Sequence, residues 1–130
     1  NYFKDYFMIN SIFDVVNELR TVILPLGIPV YKFIRPTTND GECIVIDYMP
    51  IRKNSVNSVN DLVLFIYVKK IGGEADSKRI QTVCDAITGY VKTFDAQKGV
   101  IYFNNELEPF TNSFDISRTV TQLRFRTINS

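Results

Sequence analysis

The run Leu62 to Val68, LVLFIYV, constrains this chain more than any other stretch. Seven consecutive apolar residues leave a strand without a polar side. Both of its faces must therefore be covered, either within the domain or by another subunit. Lys69 and Lys70 close the run. A chain of 130 residues is read as a single domain, residues 1–130, long enough to hide roughly two-thirds of the surface its unfolded form exposes. With 45% hydrophobic and 22% charged residues, the composition excludes disorder of the chain as a whole. A formal net charge of +1 gives no global field that would recruit nucleic acid or an acidic membrane.

Upstream, Ile12, Val15, Val16, Leu19, Val22, Ile23 and Leu26 recur at steps of three and four and predict a helix over 12–26. Asn10 or Ser11 can cap its start. Its end is built from the segment ILPLGIPVYKF: Pro25 cannot continue the ladder for long, Gly27 can take the left-handed turn, and Pro29 forbids resumption. Val30 to Phe33 follows as a short strand, and Pro29 at its start favours a place at the sheet edge. Arg35 to Gly41 is a polar turn region.

Glu42 to Met49 predicts a strand with Ile44, Ile46 and Tyr48 on one face. Pro50 to Asp61, with three asparagines and few apolar residues, reads as a long hairpin loop leaving the compact body. After LVLFIYV comes a turn at Gly72 and Gly73. A second helix then starts, capped by Asp76 or Ser77, with Ile80, Val83, Cys84, Ile87, Val91 and Phe94 facing inward. Gly99 marks the next boundary. Val100 to Phe103 and Thr119 to Ile128 predict two late strands, the second alternating Leu123 and Phe125 against Gln122, Arg124 and Arg126. Asn104 to Arg118 reads as a broken or bulged hairpin arm. The order α-β-β-β-α-β-β implies an α+β fold, an antiparallel or mixed sheet of about four to five strands carrying two helices.

Cys43, in a strand pattern, and Cys84, on an apolar helix face, read as small buried hydrophobes, with a pairing between them left open. A reducing compartment is the default. No apolar run approaches the roughly 18 residues of a membrane helix. Residues 1–8 are expected to form a leader, extended or extending the first helix, with Met8 as a candidate original start.

The chain contains no histidine, which removes the commonest general base and metal ligand. Gly72-Gly73 before a helix could hold an anion, but a turn fits better because Glu74 and Asp76 would repel one. Asp76-Ser77-Lys78 has an acid-x-Lys spacing used in metal-dependent nucleases. At a helix start, however, the aspartate is better employed as a cap. Asp47, inside a strand, is expected to pair with a neighbouring Lys or Arg. No catalytic, cofactor-binding or metal-ligating residue is assigned, and no enzymatic activity is expected. Tyr48, Phe65, Tyr67, Tyr102 and Phe103 could form a base-stacking sheet, but the glycine-and-aromatic signature of an RNA-recognition sheet is missing and core packing accounts for such rings. Arg118, Arg124 and Arg126 form a potential basic stripe, suited either to solvent and edge protection or to a protein partner.

From Met8 onward the layout resembles the tail terminator and tail completion proteins of tailed bacteriophages, which close the tail tube and join it to the head. The helix SIFDVVNELRTVI runs into LPLGIPVYKFIRP; the strand ECIVIDYMPI, a polar loop and NDLVLFIYVKK follow. The helix SKRIQTVCDAITGYVKTF and a final RTVTQLRFRTI complete the pattern. The resemblance implies a structural virion protein, assembled in the bacterial host cytoplasm. It implies a ring, usually of six copies, around the DNA channel, in contact with tail tube or head-tail connector proteins. DNA would pass nearby without specific binding, and no membrane is involved. A head-to-tail interface closes into such a ring when its rotation closes.

On this reading the helix-to-strand corner gives a neighbouring subunit a rigid edge at Ile28, Val30 and Tyr31. Arg52, Lys53, Asn54 and Asn57 form a reaching element, and Arg118, Arg124 and Arg126 offer further contact. The alternative reading is a sheet-based protein-binding adaptor outside phage, also without enzymatic activity.

Overall fold

The computed structural model describes residues 12–53, 58–92, 100–102, 110–112 and 117–129. The fold is α+β: a mixed sheet with two helices. Helix α1 (Ile12–Ile23) leads into β1 (Val30–Lys32), β2 (Cys43–Lys53) and β3 (Ser58–Lys69). Helix α2 (Ser77–Lys92) precedes β4 (Val100–Tyr102), β5 (Phe110–Asn112) and β6 (Arg118–Asn129). The expected element order holds, with one short strand, β5, added late. The sheet order is β1-β2-β3-β6-β4, with β5 also on β6. β1 runs parallel to β2, and every other pairing is antiparallel.

One core joins the helices to a single face of the sheet. Val15, Val16, Leu19 and Ile23 from α1 meet Ile80, Val83, Cys84, Ile87 and Val91 from α2 over Ile44, Ile46, Leu62, Leu64, Ile66, Val68, Leu123 and Phe125. The helix phases are those the three-and-four spacing predicts; Phe94 lies outside the described residues. LVLFIYV is the middle of this arrangement. Leu62, Leu64 and Ile66 are fully buried under the helices. On the opposite face Val63 is buried and Phe65 and Tyr67 are half-buried, so the run is covered on both sides to different degrees. Cys43 and Cys84 are buried free thiols. Cys84 belongs to the helix-side core, whereas Cys43 lies one residue out of phase with Ile44 and faces the other way, so the sheet separates them.

Turn chemistry matches the sequence. Gly27 has φ 78°, and its amide donates to the Leu24 carbonyl at 3.0 Å, closing a 3-10 turn over Leu24–Leu26. Asp76 Oδ1 accepts the Arg79 amide at 3.1 Å, so this aspartate is the cap of α2 and not part of a metal site. Gly72 and Gly73 both have positive φ between the mutually bonded Ile71 and Glu74, a tight turn whose flanking amides are already used. The cap residues Asn10 and Ser11, the leader 1–8, Gly99 and Phe103 lie outside the described residues.

The hairpin loop expected over Pro50 to Asp61 is corrected by the structure. β2 continues to Lys53 and β3 begins at Ser58, with Met49 paired to Asp61, Pro50 to Asn60, Arg52 to Val59 and Lys53 to Ser58. Residues 54–57, between the two paired strands, lie outside the described residues. The polar composition misleads here because the β3 half of the arm is paired on both sides. Ser58 to Asp61 also match Asn129 to Arg126 on β6, so the main chain of a polar segment is fully engaged. Val59, Asn60 and Asp61 are accordingly buried.

The broken arm expected over Asn104 to Arg118 has a counterpart in β4 and β5. β3 occupies one side of β6 along its whole length, so β4 and β5 share the other. Val100–Tyr102 pair with 128–126 and Phe110–Asn112 with 122–120. The two strands run in the same direction, as a single edge with a register change between its two parts.

Candidate assembly surface

At the corner between α1 and β1, the helix is tied to the strand by Arg20, whose Nε donates to the Val30 carbonyl at 2.9 Å, and by a hydrogen bond from Lys32 Nζ to Asn17 Oδ1. The strand stops after three residues. Phe33 donates its amide to the Ile46 carbonyl at 2.8 Å and has φ 69°, the one positive value outside glycine among the described residues. The Ile34 amide returns to the Lys32 carbonyl at 2.8 Å, closing a three-residue turn. A bulky residue in that region carries strain of order 1–3 kcal/mol and persists only where its surroundings hold it.

What holds Phe33 is a triangle of rings. Phe13 and Phe33 centroids lie 5.6 Å apart, Phe13 and Tyr48 5.7 Å, and Phe33 and Tyr48 6.2 Å, all edge-to-face. Edge-to-face contacts at these separations are favourable beyond area burial. The triangle stands at the rim of the core yet is open to solvent: Phe13 is 52% exposed. Next to these rings in the chain, Ile34 is 77% exposed, Met49 44% and Ile51 46%. Exposed apolar side chains therefore occur on α1, at the end of β1 and on the outer half of β2, and two more stand at Leu24 (41%) and Ile71 (66%). Phe13 sits off the stripe that marks the buried face of α1. That misplaced aromatic is the sequence signal for this surface, and the spacing argument passed over it.

The anticipated contact residues are distributed unevenly. Ile28 and Val30 are buried in the chain's own core and present no side chain to a neighbour. Tyr31 is half-buried, and its hydroxyl accepts from Asn39 Nδ2 at 3.0 Å. Arg52 and Lys53 are exposed at the end of the arm, while Asn54 and Asn57 lie outside the described residues.

The three arginines of β6 do share one face, but they do not form an open basic stripe. Arg118 is buried, donating to the carbonyls of Asn39 and Gly41 at 3.2 Å each, with its guanidinium 5.1 Å from the Tyr67 ring centroid. Arg35 approaches the same ring at 5.0 Å and donates to the same Asn39 carbonyl at 2.7 Å. Both therefore fasten the 33–42 loop over the sheet. Arg126 pairs with Asp61 at 3.0 Å. Arg124 is half-buried, in register with Val63, whose other neighbour is Asp47. Where a Lys or Arg partner was expected, Asp47 Oδ1 accepts the amide of its neighbour Tyr48 at 2.8 Å.

No group of three or more His, Cys, Asp or Glu side chains that could hold a metal occurs among the described residues. Burial pushes the Cys84 thiol up to about 11, reinforced by the charge of Asp85. Burial also raises Cys43, against the opposing charges of Arg118 and Arg35. Both remain protonated near neutrality and are poor nucleophiles. Arg79 is raised by its hydrogen bonds to Glu42, a bidentate pair of 2.9 and 2.6 Å that ties α2 to the start of β2. No described helix is long and apolar enough to cross a membrane. No protein-family model matches the sequence, and no curated protein matches it.

Proposed function

We propose that this chain is a structural subunit of the tail terminator or tail completion type. Its copies pack head-to-tail into a ring that caps a phage tail tube and joins it to the head. The observation that supports this reading is the apolar margin at the α1–β1 corner. Phe13, Ile34, Met49 and Ile51 stay exposed along it; among the described residues, Leu24 and Ile71 are the other exposed large apolar side chains. Exposed apolar clusters on small proteins mark interaction sites.

The corner that presents them is rigid, fixed by the Arg20 tie, the two prolines and the strained Phe33 turn. A rigid edge on one copy is what a closed ring needs, since a small angular error per interface accumulates around it. The near-neutral charge fits a channel through which DNA slides without sticking. On this reading the protein works by packing alone, in the virion, after assembly in the bacterial host cytoplasm.

Ile34→Ser combined with Met49→Ser tests the reading, since both lie outside the ring triangle. Both positions are exposed, so the variant keeps its fold by circular dichroism. It is expected to sediment as a smaller species than the parent. A folded variant that assembles as the parent does would remove this margin from the interface.

A further inference from the structure

We infer that the outer margin of β2, residues 47–53, is closed to strand addition, guarded so that another strand cannot extend the sheet there. The direction of the main chain sets the problem. Ile44 donates its amide to the Pro29 carbonyl at 2.9 Å, and Ile46 accepts the Phe33 amide at 2.8 Å. Even-numbered residues of this part of β2 therefore aim their main-chain groups at β1, and odd-numbered ones aim theirs at β3. β1 ends opposite Ile46, whereas β2 runs on to Lys53. Continued along the strand, the alternation turns the polar groups of Tyr48 and Pro50 outward, where no described strand pairs with them.

Such an edge is a template for pairing with another chain. Here its donors are removed one at a time. The Tyr48 amide is taken by the side chain of Asp47, whose Oδ1 lies 2.8 Å away. Pro50 has no amide to offer, and this placement is also why a proline is tolerated inside an 11-residue strand. The register then slips between Pro50 and Arg52, leaving Ile51 as an extra residue that bends the edge. Arg52 and Lys53, both exposed, put two positive charges at the end. At Tyr48 and Pro50 an incoming strand finds carbonyls but no free amide, and beyond them a kinked backbone and charge. Any neighbour that meets this margin must do so through side chains. None of this depends on whether the copies form a ring.

Asp47→Ala with Pro50→Thr restores both outward amides. The folded double variant is expected to form thioflavin-binding, sheet-joined species on standing, at a concentration where the parent's sedimentation profile stays constant. Parent-like sedimentation and no thioflavin response in the folded variant would overturn the inference.

Hydrogen exchange at Tyr48 covers the case in which the double variant fails to fold. In the parent this amide should exchange roughly fivefold slower than a free one. The protection should be lost in Asp47→Ala and kept in Asp47→Asn, which retains an acceptor oxygen. Exchange at the free rate in the parent, or unchanged protection in Asp47→Ala, would overturn it equally.

Discussion

Arg126 Nε lies 3.0 Å from Asp61 Oδ1 across the β3–β6 pair, and the two ends differ in environment: the Asp61 side chain is 8% exposed and that of Arg126 42%. The carboxylate has left water more completely than its partner. Arg126→Met, which keeps the apolar stem, is expected to cost about 1–2 kcal/mol in urea unfolding, discounted for the solvent that screens the exposed partner. An unchanged midpoint would mean that water already satisfies Asp61.

Gly27→Ala isolates a backbone effect. A Cβ added there would meet nothing within 4 Å, so the substitution creates no clash. At φ 78° any side chain is strained. The expected loss is about 1 kcal/mol with no change in assembly. A neutral result would show that the helix-to-strand exit tolerates another conformation.

Leu19 and Ile87 are each fully buried, one on each helix, in the same core. Leu19→Asp or Ile87→Asp places an unpaired charge there, and either should abolish the cooperative unfolding transition. A parent-like melt would contradict the helix phases.

The helices were legible because a buried helix face leaves a spacing that survives any sequence noise, as at Val15, Val16, Leu19 and Ile23. The turns were legible because Gly27 and Asp76 do what those residue types do locally. The arm over Pro50 to Asp61 was not, because its polarity is offset by pairing to β6, 65 or more positions away, and spacing carries no record of such a partner. Deleting Arg52 to Asn60 is accordingly expected to damage the fold, since it removes buried Val59 and Asn60. Arg118 was misplaced for the same reason: its burial depends on Tyr67 and the 33–42 loop closing over it. The aromatic triangle combines Phe13, Phe33 and Tyr48 from three elements, and no local pattern unites them.

Cys84 links stability to alkaline pH. Its thiol is raised to about 11 in the folded chain from an ordinary value of 9.0, so the folded state holds its proton where the unfolded state has released it. The stability is fully present below pH 9 and declines as pH rises from there to about 11, by about 2–3 kcal/mol in all. Urea unfolding at pH 8, 9, 10 and 11 should show this decline shrinking in Cys84→Val. An identical pH profile for parent and variant would mean the thiol is not sealed from solvent.

The central proposal is that copies of this chain close on themselves through the apolar corner. Its most direct test is the mass and symmetry of the purified protein, by analytical ultracentrifugation together with electron microscopy of single particles. The expected result is annular particles with six-fold symmetry and six times the 15.0 kDa of one chain. A single species at the mass of one chain across the whole accessible concentration range, with no rings in the images, would contradict it.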